Sequence, residues 1–196
     1  MRDSGIVILG YLLGSILFGK LFLRLLKQKD IGKEGDDGNP GTFNAFAGGG
    51  ALCGVLTLVC DLAKGAIPVA LYLHCHGGNR HGWMLVPVMI APVLGHAFPI
   101  YQGFLGGGKA IAVSFGSLLG FCPDLLPALI PAVFYLLFSA MKVQPHAKRS
   151  ILTFSCSAVA ALLAIKEYTI KTGMFLISAI VVGRHISSIR KQEPEH

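Results

Sequence analysis

The chain has 196 residues, of which 53% are hydrophobic and only 14% charged, and its formal net charge is +7. Soluble domains carry roughly 25% charged residues, and a small fold has proportionally the largest surface to cover with them. The shortage argues against a soluble enzyme, a DNA-binding domain and a disordered chain, and it leaves a protein whose outer surface faces lipid.

Only helices or a closed β-barrel cross lipid. Barrel strands alternate polar and apolar residues, whereas Ile6-Val7-Ile8-Leu9 and Ile177 to Val182 are apolar on every side. The fold class is therefore all-α: a polytopic integral membrane protein of about seven transmembrane helices. One span needs about 20 mostly apolar residues for a core about 30 Å thick.

The predicted spans run in chain order. The first covers about residues 5–26; it lacks a clear small-residue cleavage site and a basic stretch follows, so it reads as a mature helix. The second covers about 51–73 and contains Asp61 and Lys64. The third covers 83–101, and the short fourth covers about 110–121. Pro123 marks a tight turn before the fifth, 125–141, which Pro127 and Pro131 interrupt. The sixth covers about 151–165 and the seventh 173–186. No linker and no repeat divides the chain, so residues 1–196 form one domain.

Lys and Arg set the orientation. With the N-terminus outside, the inner side holds Arg24, Lys27, Lys29, Lys33, Lys109, Lys142, Lys148, Arg149, Arg184, Arg190 and Lys191; the outer side holds only Arg2, Arg80, Lys166 and Lys171. That asymmetry favours N-outside and C-cytoplasmic, with an odd number of helices. The positive charge is mainly a topology signal and suits anionic lipid and anionic substrates. The cations are dispersed and lack interleaved aromatics, so no nucleic-acid partner is expected.

Polar islands gather on the inner side. The first, Gly35 to Asn44, contains Asp36, Asp37, Gly38, Asn39, Gly41 and Asn44. Its glycines let backbone N–H groups converge on an anion such as phosphate. A flexible polar loop explains the same residues, and the two aspartates also suit a cation or an amine. In the second island, Asp61 and Lys64 share a helical face at i, i+3. Ionisable residues within a span are costly and mark function, although a self-neutralising structural pair is the alternative. The third island is Gly95-His96-Ala97-Phe98-Pro99. The fourth, Gly103 to Lys109, places Gly106, Gly107, Gly108 and Lys109 before a helix, like a phosphate cradle, without being a Walker A motif. A hinge is the bland reading. The fifth is Arg184-His185 with Ser187 and Ser188, which also fits a simple membrane anchor. On the outer side, His74-Cys75-His76 with His81 has metal-ligand residue types, but the spacing matches no zinc pattern and no carboxylate adjoins it, so no metal is expected. The five cysteines mostly fall in spans and form no CxxC, which argues against a disulfide framework.

In order, these islands resemble the bacterial acyl-phosphate:glycerol-3-phosphate acyltransferase family over nearly the whole chain. Tyr11 to Gly19 is similar to the family's start. Its GSGNxGxTN loop corresponds to Asp36 through Asn44, and its DxxKG to Asp61, Lys64 and Gly65. Its GHxxPxxxGFxGGKG resembles Gly95 through Lys109, and its RHxxNI resembles Arg184 through Ile189. The resemblance implies a membrane enzyme, without coenzyme A, acyl carrier protein or other cofactor. Such an enzyme moves a fatty acyl group from acyl phosphate to the sn-1 hydroxyl of glycerol 3-phosphate, making lysophosphatidic acid for phospholipid synthesis.

By the same resemblance His96, Lys109, His185 and Asn44 are catalytic. Asp37, Gly38, Asn39, Gly41, Lys64, Asp61, Gly107, Gly108, Arg184 and Ser188 bind substrate. The implied protein is a monomer in the bacterial inner (plasma) membrane, with its site facing the cytoplasm.

The chain departs from the pattern at several positions. Asp37 replaces a serine, Phe43 a threonine, Ala47 an arginine and Ser188 an asparagine; Ala110 replaces the glycine after the lysine, and the third loop carries an extra glycine. The segment from Gln144 to Ser150 lacks the usual serine-rich pattern. These changes leave open an altered acceptor. A non-catalytic paralogue that binds lipid or a partner is the alternative function, and a small transporter built on Asp61 and Lys64 is a third.

Overall fold

A computed structural model describes residues 2–27 and 39–190. The intervening stretch, with Asp36, Asp37 and Gly38, lies outside the described residues, as do Lys29, Lys33 and Lys191. The described residues form helices and turns without a strand. In order these are α1 (Arg2–Gly14), α2 (Phe18–Phe22), a π-helical turn (Leu23–Lys27), α3 (Thr42–Cys75), α4 (Leu85–Ala97), a 3₁₀ turn (Ile100–Gln102), α5 (Ile111–Leu119), α6 (Leu126–Ala140), α7 (His146–Ala164) and α8 (Tyr168–Arg190).

Four of these segments are long and apolar enough to cross a membrane: Thr42–Cys75, Leu85–Gln102, His146–Ala164 and Tyr168–Ile189. The first expected span is a bent pair, Asp3–Gly14 and Phe18–Leu26, with a bend of 43°; counted as one span, it makes five. Leu126–Ala140 is apolar but shorter. α5 has only nine residues, about 14 Å of helix at 1.5 Å per residue. Its Val113, Ser114, Gly116, Ser117 and Leu118 are buried, so it is packed inside the bundle.

Two boundaries differ from the hydropathy reading in ways that matter for the site. The second helix begins at Thr42, nine residues before the apolar run, and continues through a kink at Gly50, where φ is 76° and ψ is −173°. Only glycine takes that conformation cheaply. Thr42, Phe43 and Asn44, expected in a loop, are thus helical. α7 likewise begins at His146 rather than near residue 151, because polar first-turn residues carry no hydropathy signal.

Two close helix crossings organise the bundle. A Cβ on Gly14 would lie 2.2 Å from the Pro92 carbonyl oxygen, and one on Gly95 would lie 2.2 Å from the Tyr11 carbonyl oxygen, so α1 and α4 meet backbone to backbone. Gly65 and Gly116 do the same for α3 and α5: their Cβ atoms would sit 2.3 Å from the Val113 oxygen and 2.1 Å from the Leu62 oxygen. Such small-residue contacts are the usual way membrane helices approach closely. Gly65 follows Lys64 and Gly95 precedes His96, so the crossings bring those two side chains together. At another edge of the bundle Arg80 pairs with Asp124 at 2.5 Å, and the Thr169 hydroxyl donates to the Arg80 carbonyl. This joins the α3–α4 connection, the α5–α6 connection and the first turn of α8.

Candidate active site

The centre of the site is a buried ionic cluster. Lys64 Nζ lies 2.8 Å from Asp61 Oδ1, donates to the Ile16 carbonyl at 2.7 Å, and lies 2.8 Å from His96 Nδ1. An ammonium has three protons and no lone pair. Paired with the Asp61 carboxylate, Lys64 is the ammonium and can only donate, so His96 Nδ1 accepts and the ring's proton is assigned to Nε2. The network thereby assigns the His96 tautomer. Ile16 is available because the chain is broken between α1 and α2, which leaves its carbonyl outside a helical ladder. Asp61, Lys64 and His96 are all essentially buried. Lys64, expected to grip substrate, instead spends its hydrogen bonds within the protein.

The glycine loop closes over His96. Gly108 N–H donates to the His96 carbonyl at 2.9 Å, and a Cβ on Gly108 would lie 2.0 Å from His96 Nε2. Gly107 is equally tight, with its Cβ position 2.1 Å from the Ala97 oxygen. Arg184 pins the loop from α8: Nη2 donates to the Gly107 carbonyl at 2.6 Å and Nε to the Gly108 carbonyl at 3.2 Å. Its guanidinium also stands 5.3 Å from the centre of the Phe98 ring. Lys20 holds the loop's other side, donating to Gln102 Oε1 at 2.7 Å and the Gly106 carbonyl at 3.4 Å. Tyr11 donates to the Phe98 carbonyl at 2.8 Å. The loop is a braced wall, not a free hinge.

Beside this wall lies a cavity of about 980 Å³. Its polar part includes Asn39, Gly41, Asn44, Asp61, His96 and Lys109. Asn44 Nδ2 donates to the Asn39 carbonyl at 2.9 Å, tying the first turn of α3 to the segment before it. The apolar part includes Leu58 and Leu62 of α3 and Ile111, Phe115 and Leu119 of α5. The cavity thus brings polar and cationic groups and hydrocarbon side chains together around one space.

The described structure therefore brings most of the expected residues together, in two roles. Asn39, Gly41, Asn44, Asp61, His96 and Lys109 line the cavity. Lys64, Gly107, Gly108 and Arg184 stand behind it and hold its wall. His185 is fully buried, with Nδ1 2.8 Å from the Val181 carbonyl, and does not line the cavity. Ser188 is half-buried near the end of α8, and its neighbour Ile189 reaches the cavity wall. Next to the α3–α4 connection, His76 Nε2 lies 3.3 Å from Asp3 Oδ1, a carboxylate that the local sequence did not offer. Among the described residues no group of three or more His, Cys, Asp or Glu converges as a metal site.

Sequence reasoning gave no site role to Lys20, Tyr135 or His146, and counted Lys148 only among the expected inner-side cations. Lys20 carries the signal that singled out Asp61 and Lys64, a charge inside an apolar run, and the same rule finds it. Tyr135, His146 and Lys148 also line the cavity, contributed by α6 and the first turn of α7. They lie far along the chain from the other polar islands, and only the packing of α6 and α7 brings them in.

A glycerol-3-phosphate acyltransferase family model matches residues 4–192. A glycerol-3-phosphate acyltransferase of Macrococcus caseolyticus is 34% identical over 192 residues, covering 97% of this chain and 93% of its own. One from Staphylococcus aureus strain Newman is 33% identical over 198 residues, covering 96% and 95%. Among solved structures, PlsY, an integral membrane glycerol 3-phosphate acyltransferase, superposes in its glycerol 3-phosphate form with a TM-score of 0.84 at 29% identity, over 97% of this chain and 92% of that one. Its lysophosphatidic acid form gives 0.83 at 28% identity, over 97% and 91%.

Proposed function

We propose that this chain, which belongs to the glycerol-3-phosphate acyltransferase family, transfers a fatty acyl group from acyl phosphate to the sn-1 hydroxyl of glycerol 3-phosphate. The observation that carries the reading is that Lys109, His96 and Asn44 line one cavity together with apolar side chains of α3 and α5. An acyl phosphate has an anionic head and a hydrocarbon tail, and such a cavity suits both.

The acceptor hydroxyl oxygen attacks the acyl carbonyl carbon. The new ester C–O bond forms and the acyl C–O bond to phosphorus breaks. Phosphate leaves with the electron pair of that bond, and the hydroxyl proton ends on phosphate. The donor is already activated, so the protein's task is to orient two anions and to stabilise charge as it moves to the leaving group. Lys109 lines the cavity and supplies a cation there. His96, with Nε2–H and its ring fixed by Lys64, presents one oriented donor. Asn44 positions the acceptor. Asp61, Lys64, Gly107, Gly108, Arg184 and His185 act as positioning residues that hold this face. Asn39, Gly41 and Ser188 lie at its margin.

The membrane arrangement is part of the same proposal. Residues 1–196 form one domain and act as a monomer. Taking α1 with α2 as one bent span gives seven segments, with the N-terminus outside, the C-terminus cytoplasmic and the site opening to the cytoplasm of a bacterial inner membrane. The excess of Lys and Arg on the inner connections supports this orientation.

The test is direct. Purified protein given acyl phosphate and labelled glycerol 3-phosphate forms lysophosphatidic acid and phosphate in equal amounts. Absence of lysophosphatidic acid above a Lys109→Ala control overturns the reading. Acyl transfer to another polyol or amine alone would replace the acceptor while keeping the chemistry.

A further inference from the structure

α7 and α8 carry a second cavity, at the ends remote from the active site. It measures about 550 Å³ and is lined by Trp83, Leu162, Tyr168, Lys171, Thr172 and Phe175. At 1.5 Å per residue, about 24 Å of α7 separates Leu162 from His146 in the first cavity, and about 21 Å of α8 separates Phe175 from Ile189. The hydrocarbon core of a bilayer is about 30 Å thick. The two cavities therefore belong to opposite leaflets. In the orientation proposed above, the second belongs to the outer one.

The order of groups along α8 is the informative feature. Tyr168, Lys171 with Thr172, and Phe175 follow at helical spacing, so they share one face over about 10 Å. Read from the helix end inward, that face presents an amphipathic ring, then a cation and a hydroxyl, then an apolar ring. Trp83 and Tyr168 are exposed and of the type that settles at the headgroup level of a membrane. Leu162 and Phe175 are exposed and apolar. A phospholipid has the same order, with its phosphate outermost and its chains within.

Lys171 supplies the charge argument. It is half-buried, yet among the described residues its ammonium makes no ion pair, even though Glu167 stands four residues earlier on the same chain. A cation partly withdrawn from water is stabilised by an anion beside it, and the Thr172 hydroxyl adds a neutral donor. The walls are fixed without any ligand. The Thr169 hydroxyl donates to the Arg80 carbonyl, and a Cβ on Gly173 would lie 2.4 Å from Met89 Sδ, so the first turns of α8 are held against the α3–α4 connection and against α4.

We propose that this cavity is a binding site for one anionic phospholipid, its phosphate held by Lys171 and Thr172 and one acyl chain lying over Phe175 and Leu162. The site is separate from acyl transfer and needs only that the protein lie in a membrane.

Trp83 is the chain's one tryptophan and lines the cavity, so its fluorescence reads occupancy. The full chain in phosphatidylcholine vesicles is titrated with phosphatidylglycerol brominated on one chain, a short-range quencher, and in parallel with brominated phosphatidylcholine. Half-maximal quenching by the anionic lipid is expected at about one-fifth of the mole fraction that the zwitterionic lipid needs, the preference one membrane-facing lysine supplies. Lys171→Gln is expected to abolish the preference and Thr172→Val to reduce it. Lys166→Gln, exposed and outside the cavity, should keep it. Equal quenching by the two lipids in the wild type, or an undiminished preference in Lys171→Gln, overturns the proposal. Trp83 emission without brominated lipid checks the fold of each variant; should Lys171→Gln fail that check, an undiminished preference in Thr172→Val overturns it instead. Reversal of the quenching by inorganic phosphate at constant ionic strength would assign the site to the free ion. Quenching that disappears as the protein-to-lipid ratio rises would assign it to a second copy of the chain. Either result overturns the lipid assignment.

Discussion

Two cation–carboxylate pairs stand in opposite settings in this molecule. Asp61 and Lys64 meet at 2.8 Å with side chains 1% and 2% exposed; Arg80 and Asp124 meet at 2.5 Å with side chains 27% and 37% exposed. The distances would rank the second pair stronger. The surroundings reverse that order, because removing one partner of a buried pair strands a charge away from water, whereas water takes over from a lost surface partner. The buried pair also engages His96 and the Ile16 carbonyl, next to the cavity. The exposed pair joins connections between helices, and neither of its residues lines the cavity. One arrangement sets the geometry of a site; the other is a clasp.

The largest test of that contrast is Lys64→Ala. It leaves Asp61 buried beside a histidine and removes the donor that fixes the His96 tautomer. Destabilisation of about 3–5 kcal/mol is expected from unfolding in detergent, together with loss of acyl transfer. Replacing both charges at once, Asp61→Leu with Lys64→Met, should recover much of the stability and none of the activity. Activity in that double variant would show that the cluster is structural only.

Next in size is Gly108→Ala. The added methyl would lie 2.0 Å from His96 Nε2, so either the ring or the loop must move. A displacement of about 1 Å at a reacting centre can cost about a hundredfold in rate. The expected result is a fall in kcat of that order, with folding retained. An unchanged kcat would mean that His96 does not need its present position.

How much of this was legible follows from what each signal measures. The all-helical class and most of the spans were legible, because long apolar runs without alternation have one solution in lipid. Asp61, Lys64, His96 and Lys109 were legible as islands, because a charge or imidazole in an apolar run is conspicuous. Their division of labour was not. Lys64 looks like an anion ligand until its three partners are seen, and Arg184 looks like a membrane anchor until it is found holding Gly107 and Gly108. Gly65 and Gly95 read only as motif residues, whereas their backbones carry helix crossings. Tyr135 and His146 were invisible for another reason: their contact needs α6 and α7 packed side by side, and nothing local in either sequence announces it. The same holds for Asp3 beside His76.

A smaller effect sharpens the contrast from the site's side. Ala110 caps the start of α5 with φ at 62° and ψ at 16°, in the left-handed region. An L-residue with a Cβ pays roughly 1–2 kcal/mol there, and a glycine does not. Ala110→Gly is therefore expected to stabilise the protein by about 1 kcal/mol, less than the full strain because glycine is freer in the unfolded chain. A shift of the unfolding midpoint upward checks it. A downward shift would show that the buried methyl contributes more than the backbone strain costs.

The smallest effect belongs to the clasp. Arg80→Ala removes the pair with Asp124 and the contact with the Phe121 ring, 5.8 Å from the guanidinium. It leaves the Arg80 carbonyl to accept from Thr169, and it leaves Asp124 Oδ1 accepting from the Leu126 N–H at 3.1 Å. A double-mutant cycle with Asp124→Ala should give a coupling of about 0.2–1 kcal/mol, falling as salt is added because the pair is open to solvent. Acyl transfer should stay at the wild-type rate. A coupling of several kcal/mol that salt does not screen would place the clasp in the same class as the buried cluster, and solvent exposure would then not be what separates the two pairs.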